Sequence, residues 1–113
     1  MANELSMYSG DNKTIRVTVT SGGAALDLTT YTARFVVRRR FTDPGATITK
    51  SSGAPSELSI TDPVNGVLEV YLLPADTEAI EGDYYYDVEI TSPAGIVSTV
   101  VQSTLTINPD VAQ

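Results

Sequence analysis

Apolar and polar residues alternate along most of the chain. Between residues 14 and 20, Ile15, Val17 and Val19 share one side while Arg16 and Thr18 share the other. The segment from Tyr31 to Arg40 repeats the pattern, with Ala33, Phe35 and Val37 inward and Arg34, Val36 and Arg38 outward. From Val67 to Leu72, the residues Leu68, Val70 and Leu72 fall together. Tyr84, Tyr86, Val88 and Ile90 form another apolar row, opposed by Tyr85, Asp87, Glu89 and Thr91. Successive side chains of a strand point to opposite faces, so each segment predicts a strand with one buried side. Helical periodicity sustained over three turns is found nowhere.

Shorter elements fill the intervals. Leu5-Ser6-Met7-Tyr8 predicts a first strand or an arm, and Leu26 and Leu28 are expected to plug one end of the core. Ala46 to Ser51 predicts an edge strand guarded by Lys50. Leu58-Ser59-Ile60 predicts a brief strand. Ile96 to Ile107 is the longest candidate. There Val97, Val101, Leu105 and Ile107 share a parity that Val100 breaks, which predicts a bulge or a change of partner.

Turn chemistry separates these runs. Ser9-Gly10-Asp11-Asn12, Ser21-Gly22-Gly23, Phe41-Thr42-Asp43-Pro44-Gly45 and Ser92-Pro93-Ala94-Gly95 are turns or loops. Ser52-Gly53-Ala54-Pro55-Ser56 is expected to be the most mobile loop, and Asn65-Gly66 carries a two-residue hairpin signal. Leu73 to Gly82 predicts a corner. Pro74 stops one strand, Asp76 can cap a single helical turn, and Gly82 frees the backbone before the tyrosine-rich strand.

Seven or eight short strands punctuated in this way predict an all-β fold, a two-sheet antiparallel sandwich. At 113 residues the chain predicts one domain over residues 1–113, with a short flexible N-terminal arm over 1–8 and a C-terminal tail over 109–113. It contains no Cys, so packing alone must hold the sandwich. No apolar run approaches the roughly 18 residues of a membrane span. The start, Met1-Ala2-Asn3-Glu4-Leu5, has neither a basic region nor an apolar run, so no signal peptide is expected. The formal charge of −7 serves solubility and makes the chain a poor general binder of nucleic acid or anionic membrane.

Candidate chemistry is sparse. The absence of His and Cys removes imidazole bases, nucleophilic triads and the usual zinc sites. No glycine-rich phosphate loop is present, and a small sandwich offers little cleft for a catalytic pair of carboxylates. No catalytic residue, metal site or cofactor is therefore expected. Asp76, Glu78, Glu81 and Asp83 could together offer oxygens to calcium, but a turn cap and solvated corner charges account for them as well. Arg38-Arg39-Arg40 is the one basic run. In a strand its members diverge, which suits surface pairing or contact with an acidic protein better than nucleic acid. Tyr71 and Tyr85 lie on outward parity and could anchor a protein interface or stack on a sugar. Arg38, Arg39, Arg40, Tyr71 and Tyr85 are thus the candidate contact residues.

One passage is distinctive. Leu73-Pro74-Ala75-Asp76-Thr77, followed by Gly82-Asp83-Tyr84-Tyr85-Tyr86-Asp87-Val88-Glu89-Ile90, resembles the immunoglobulin-like N-terminal domain of phage baseplate upper proteins. Further pieces agree in order: Gly10-Asp11, Leu26-Asp27-Leu28-Thr29, Ile48-Thr49-Lys50, Ile60-Thr61-Asp62 with Asn65-Gly66, and Leu105-Thr106-Ile107. The resemblance covers nearly the whole chain. It implies an immunoglobulin-like sandwich and a non-enzymatic virion structural protein, made in the host cytoplasm. Baseplate upper proteins continue into a coiled or receptor-facing part, whereas this sequence ends at Gln113. The expectation is therefore a small tail, baseplate or neck adaptor, or a capsid decoration subunit, present in many symmetric copies. Its partners would be other virion structural proteins rather than nucleic acid or membrane. The alternative is a glycan- or receptor-binding adhesion module with Tyr71 and Tyr85 beside polar loops.

Overall fold

The computed structural model describes residues 4–40, 45–54, 56–78 and 80–109. In chain order the elements are β1 (Leu5–Tyr8), β2 (Lys13–Thr18), β3 (Thr20–Ser21), β4 (Ala24–Ala25), β5 (Thr32–Arg38) and β6 (Ile48–Ser51). They continue with β7 (Leu58–Asp62), β8 (Val67–Leu72), the single helical turn α1 (Pro74–Thr77), β9 (Gly82–Thr91) and β10 (Val97–Asn108). The expected turn at 41–45 falls largely outside the described residues, as do Pro55 and residues 110–113 of the expected tail.

Two sheets form the sandwich. One has the order β1-β10-β9-β5-β6, the other β2-β8-β7. All their ladders are antiparallel except β1 with β10, which run parallel with Leu5 opposite Leu105 and Met7 opposite Ile107. Residues 5–8, expected as a strand or an arm, are thus a strand. This is the immunoglobulin arrangement. β2, β8 and β7 take the places of strands B, E and D, while β10, β9, β5 and β6 take those of G, F, C and C′. The first strand has left the B-E-D sheet and joined strand G.

The strand parities place the core. Ile15, Val17, Ala33, Phe35, Val37, Leu68, Val70, Leu72, Tyr84, Tyr86, Val88 and Ile90 are all buried between the sheets. Phe35 of β5 and Tyr86 of β9 meet tilted, with ring centroids 5.5 Å apart. Such a pair adds about 0.5–1.5 kcal/mol beyond its buried area. Leu28 is buried and Leu26 packs partly against the same core, as the plug reading expects.

Several local expectations are corrected. Val36, expected outward, does face out, yet it is only 3% exposed. It sits mid-sheet between Thr49 of β6 and Asp87 of β9, whose strands cover it from both sides. Val97, expected inward, is 58% exposed. The bulge falls between Thr99 and Val101, as the broken parity predicts. Before the bulge, Val97 therefore pairs with outward-facing Thr91, and only after it does Val101 align with buried Val88. Asn65-Gly66 does not close a two-residue hairpin. The ladder stops at Asp62 and Val67, leaving Pro63 to Gly66 as a four-residue turn.

Gly66 carries that turn at φ +71°. A Cβ there would stand 2.5 Å from the Val19 carbonyl oxygen and 2.7 Å from that of Leu26. The Val19 N–H donates to Gly66 O at 2.8 Å, and the Leu28 N–H to Pro63 O at 2.7 Å. The turn is therefore bolted to the chain that leaves β2.

Lys50 is also corrected. β6 is an edge strand, but Lys50 does not guard it from outside. Its side chain turns inward with Ile48, is 5% exposed, and places Nζ 2.7 Å from Asp76 Oδ2 of α1. Asp76 caps its turn from the third helical position, accepting the Leu73 N–H at 2.8 Å. The N-cap itself is Leu73, whose side chain has no acceptor, and Pro74 fills the first helical position.

Candidate functional site

The outer face of the five-stranded sheet is where the sequence candidates partly converge. β5 and β9 run side by side with Arg34 opposite Glu89, Val36 opposite Asp87, and Arg38 opposite Tyr85. Two cations thus stand beside two carboxylates and a tyrosine, around the buried Val36. Arg38 Nη1 lies 4.0 Å from Asp87 Oδ2, with both side chains partly exposed. A pair that long and that wet adds little to stability. Its charges remain available to orient a partner, which is what interfacial charge does best.

Arg39 and Tyr71 lie elsewhere. β5 ends at Arg38, and Arg39 then turns toward the start of β9. Its guanidinium carbon sits 4.9 Å from the centre of the Tyr84 ring, and Nη1 donates to Glu81 O at 3.3 Å. Gly82 has φ +108°, and a Cβ on it would come within 3.2 Å of the same Nη1. Arg39 therefore braces the entry to the tyrosine strand. Arg40 is exposed beyond it. Tyr71 lies in β8, on the other sheet, where its hydroxyl donates to Glu69 Oε1 at 3.2 Å. Desolvation raises the Tyr71 hydroxyl pKa first, and the hydrogen bond and negative charge of Glu69 raise it further. Arg38 and Tyr85 are thus neighbours, while Arg39 and Tyr71 belong to other surfaces. Arg34, Asp87 and Glu89 complete the charged face. Strand parity carries the signal for them, since it puts Arg34 beside Arg38 and Asp87 beside Tyr85.

The corner carboxylates are engaged separately. Asp76 meets Lys50 and the Leu73 N–H, and Asp83 Oδ1 accepts the Thr106 hydroxyl at 3.0 Å. Among the described residues, no group of three or more acidic, His or Cys side chains is placed to hold a metal ion. Asp27, within the Leu26-Asp27-Leu28-Thr29 piece, is a local turn former. Its Oδ1 accepts both the hydroxyl and the N–H of Thr29, which lowers its pKa. No described helix is long and apolar enough to cross a membrane.

Comparison with known proteins matches residues 2–110 to one family, described as the BppU N-terminal domain. No curated protein sequence matches the chain. Among solved structures, murine CRIg aligns with a TM-score of 0.41 at 14% identity, covering 95% of this chain and 92% of that one.

Proposed function

Since the chain belongs to the family of the phage baseplate upper protein N-terminal domain, a family of phage baseplate structural proteins, we propose that it is a non-enzymatic adaptor subunit. It works in many symmetric copies, through contacts with other virion structural proteins. The family match across residues 2–110 is the observation that carries this reading. The outer face of the five-stranded sheet supports it, because Arg34, Arg38, Tyr85, Asp87 and Glu89 bring mixed charge and an aromatic ring together around the buried Val36. That composition suits a specific protein contact, in which charge fixes orientation and aromatic area supplies affinity.

Particle reconstitution tests the proposal. Arg38→Glu combined with Tyr85→Ala should leave the fold intact, by melting temperature, and abolish incorporation into assembled tails or baseplates. Tyr71→Ala, on the opposite sheet, should incorporate normally. Equal incorporation of all three proteins would overturn the assignment of this face. A monomer that binds a sugar saturably and never enters particles would overturn the adaptor role itself.

A further inference from the structure

The two sheets are unequal. The five-stranded sheet faces only three strands, and β2 is the end strand of the smaller sheet. The strand that would lie beside β2 in an immunoglobulin constant-type sheet has instead become β1. β1 in turn covers β10 only from Leu105 to Asn108. Among the described residues, one flank of the sandwich therefore stays open between two strand edges, β2 on one side and the earlier part of β10 on the other.

A groove of about 320 Å³ occupies this opening. Leu5, Val17, Val100 and Val101 line it together with Arg16, Thr18 and Thr20, and its exposed lining is more polar than apolar. The bulge between Thr99 and Val101 breaks the regularity of the β10 edge, and bulged edges are poor templates for pairing. β2 has no such break. Its six residues pair in continuous register with β8 on one side only.

We propose that this groove accepts an extended segment of a neighbouring protein, added as a fourth strand against the outer edge of β2. Strand addition supplies main-chain hydrogen bonds, and alternate side chains set specificity. Alternation fixes the chemistry of the incoming segment. Its inward residues fall between Val17 and the Leu5–Val101 wall and must be apolar. Its outward residues lie beside Thr14, Arg16 and Thr18, where opposite charge across a strand pair is favoured. Arg16 is exposed opposite Glu69 of β8, Lys13 at the start of the strand is partly exposed, and neither makes an ion pair with any described residue. The occupant is therefore an acidic, apolar-alternating peptide. A second copy of β2 would instead bring arginine and lysine against their own kind, which opposes pairing of this edge with itself.

The test uses the intact chain, isotope-labelled, and a blocked hexapeptide of alternating valine and glutamate. Binding should shift and protect the β2 amides and move the signals of Val100 and Val101, saturably. Arg16→Glu should weaken it roughly five- to tenfold. A hexapeptide with lysine in place of glutamate should then bind the variant better than it binds the parent. Tyr85→Ala, on the other sheet, should leave binding unchanged, which separates this site from the adaptor face. Four outcomes would overturn the proposal: shifts confined to other surfaces, an Arg16→Glu variant that binds normally, an N-methylated peptide that binds as well as the parent peptide, or β2 protection that rises with protein concentration before any peptide is added.

Discussion

Thr77 receives two hydrogen bonds from residues at the far end of the sequence. Ser9 Oγ donates to its carbonyl oxygen at 2.6 Å, and the Gly10 N–H donates to its Oγ1 at 2.9 Å. The helical turn between β8 and β9 is thereby fastened to the turn between β1 and β2. Thr77 is fully buried, so loss of its hydroxyl leaves a desolvated N–H behind. Thr77→Val, which keeps the shape, should cost about 1–3 kcal/mol in a urea melt. Each kcal/mol corresponds to about 4–8 °C of melting temperature in a small domain. Thr77→Ser keeps the acceptor and should lose much less.

The Lys50–Asp76 pair should respond unequally to the removal of each partner. Asp76→Ala strands a buried ammonium and also removes the cap from α1, so it should cost about 3 kcal/mol or more. Lys50→Met leaves a carboxylate that still accepts the Leu73 N–H and reaches water, and should cost about 1 kcal/mol. The double variant should recover part of the Asp76→Ala loss. Chemical denaturation of all four proteins checks the order; equal single losses would show that the ammonium is not the vulnerable member.

Two glycines at positive φ should behave differently. Gly66→Ala forces a Cβ into the carbonyl oxygens of Val19 and Leu26. These are backbone atoms, the Val19 oxygen also accepting the Leu26 N–H, and cannot swing aside, so the substitution should prevent cooperative folding or cost at least about 3 kcal/mol. Gly22, at φ +61°, has no described neighbour within 4 Å of where a Cβ would stand. Gly22→Ala should cost only the left-handed backbone penalty of about 1–2 kcal/mol. Circular dichroism melts of the pair separate the two effects.

Ser103 is the opposite case. Its Oγ is buried on β10 opposite Tyr86 and has no hydrogen-bond partner among the described residues. A hydroxyl held out of water without a partner lowers stability. Ser103→Ala should therefore raise the unfolding free energy by about 1 kcal/mol, read as a higher denaturation midpoint at unchanged slope. A lower midpoint would mean that the hydroxyl has a role in the native core.

Strand parity made most of the core legible in advance. Phe35, Val37, Tyr84, Tyr86, Val88 and Ile90 needed only a period of two, and the bulge announced itself because Val100 and Val101 could not both face in. What parity could not reach depends on partners distant in sequence. Lys50 reads locally as an edge guard, and only Asp76, on the far side of β7 and β8, draws it inward. Val36 reads as a surface residue until β6 and β9 flank it. Val97 lies on the far side of a bulge whose exact step no local pattern fixes. The contact face is half visible in the sequence: Arg38 stands out through the basic run and Tyr85 through its outward parity, and their adjacency appears only once β5 and β9 are in register. Arg39 carried the same basic signal yet went to Tyr84, because the strand ends one residue before it.

The parallel ladder of β1 with β10 joins the first strand to the last. Closing a loop of nearly the whole chain is a late event in folding, because the entropy of closure comes before any contact offsets it. A nascent chain has nothing on which to lay β1 until Leu105 to Asn108 have been made. Until then Met7 lacks its Ile107 neighbour, and both belong to the buried core. The ladder therefore makes the two ends of the sandwich depend on each other: without Leu105 to Asn108, β1 has no partner strand and Met7 loses its neighbour Ile107.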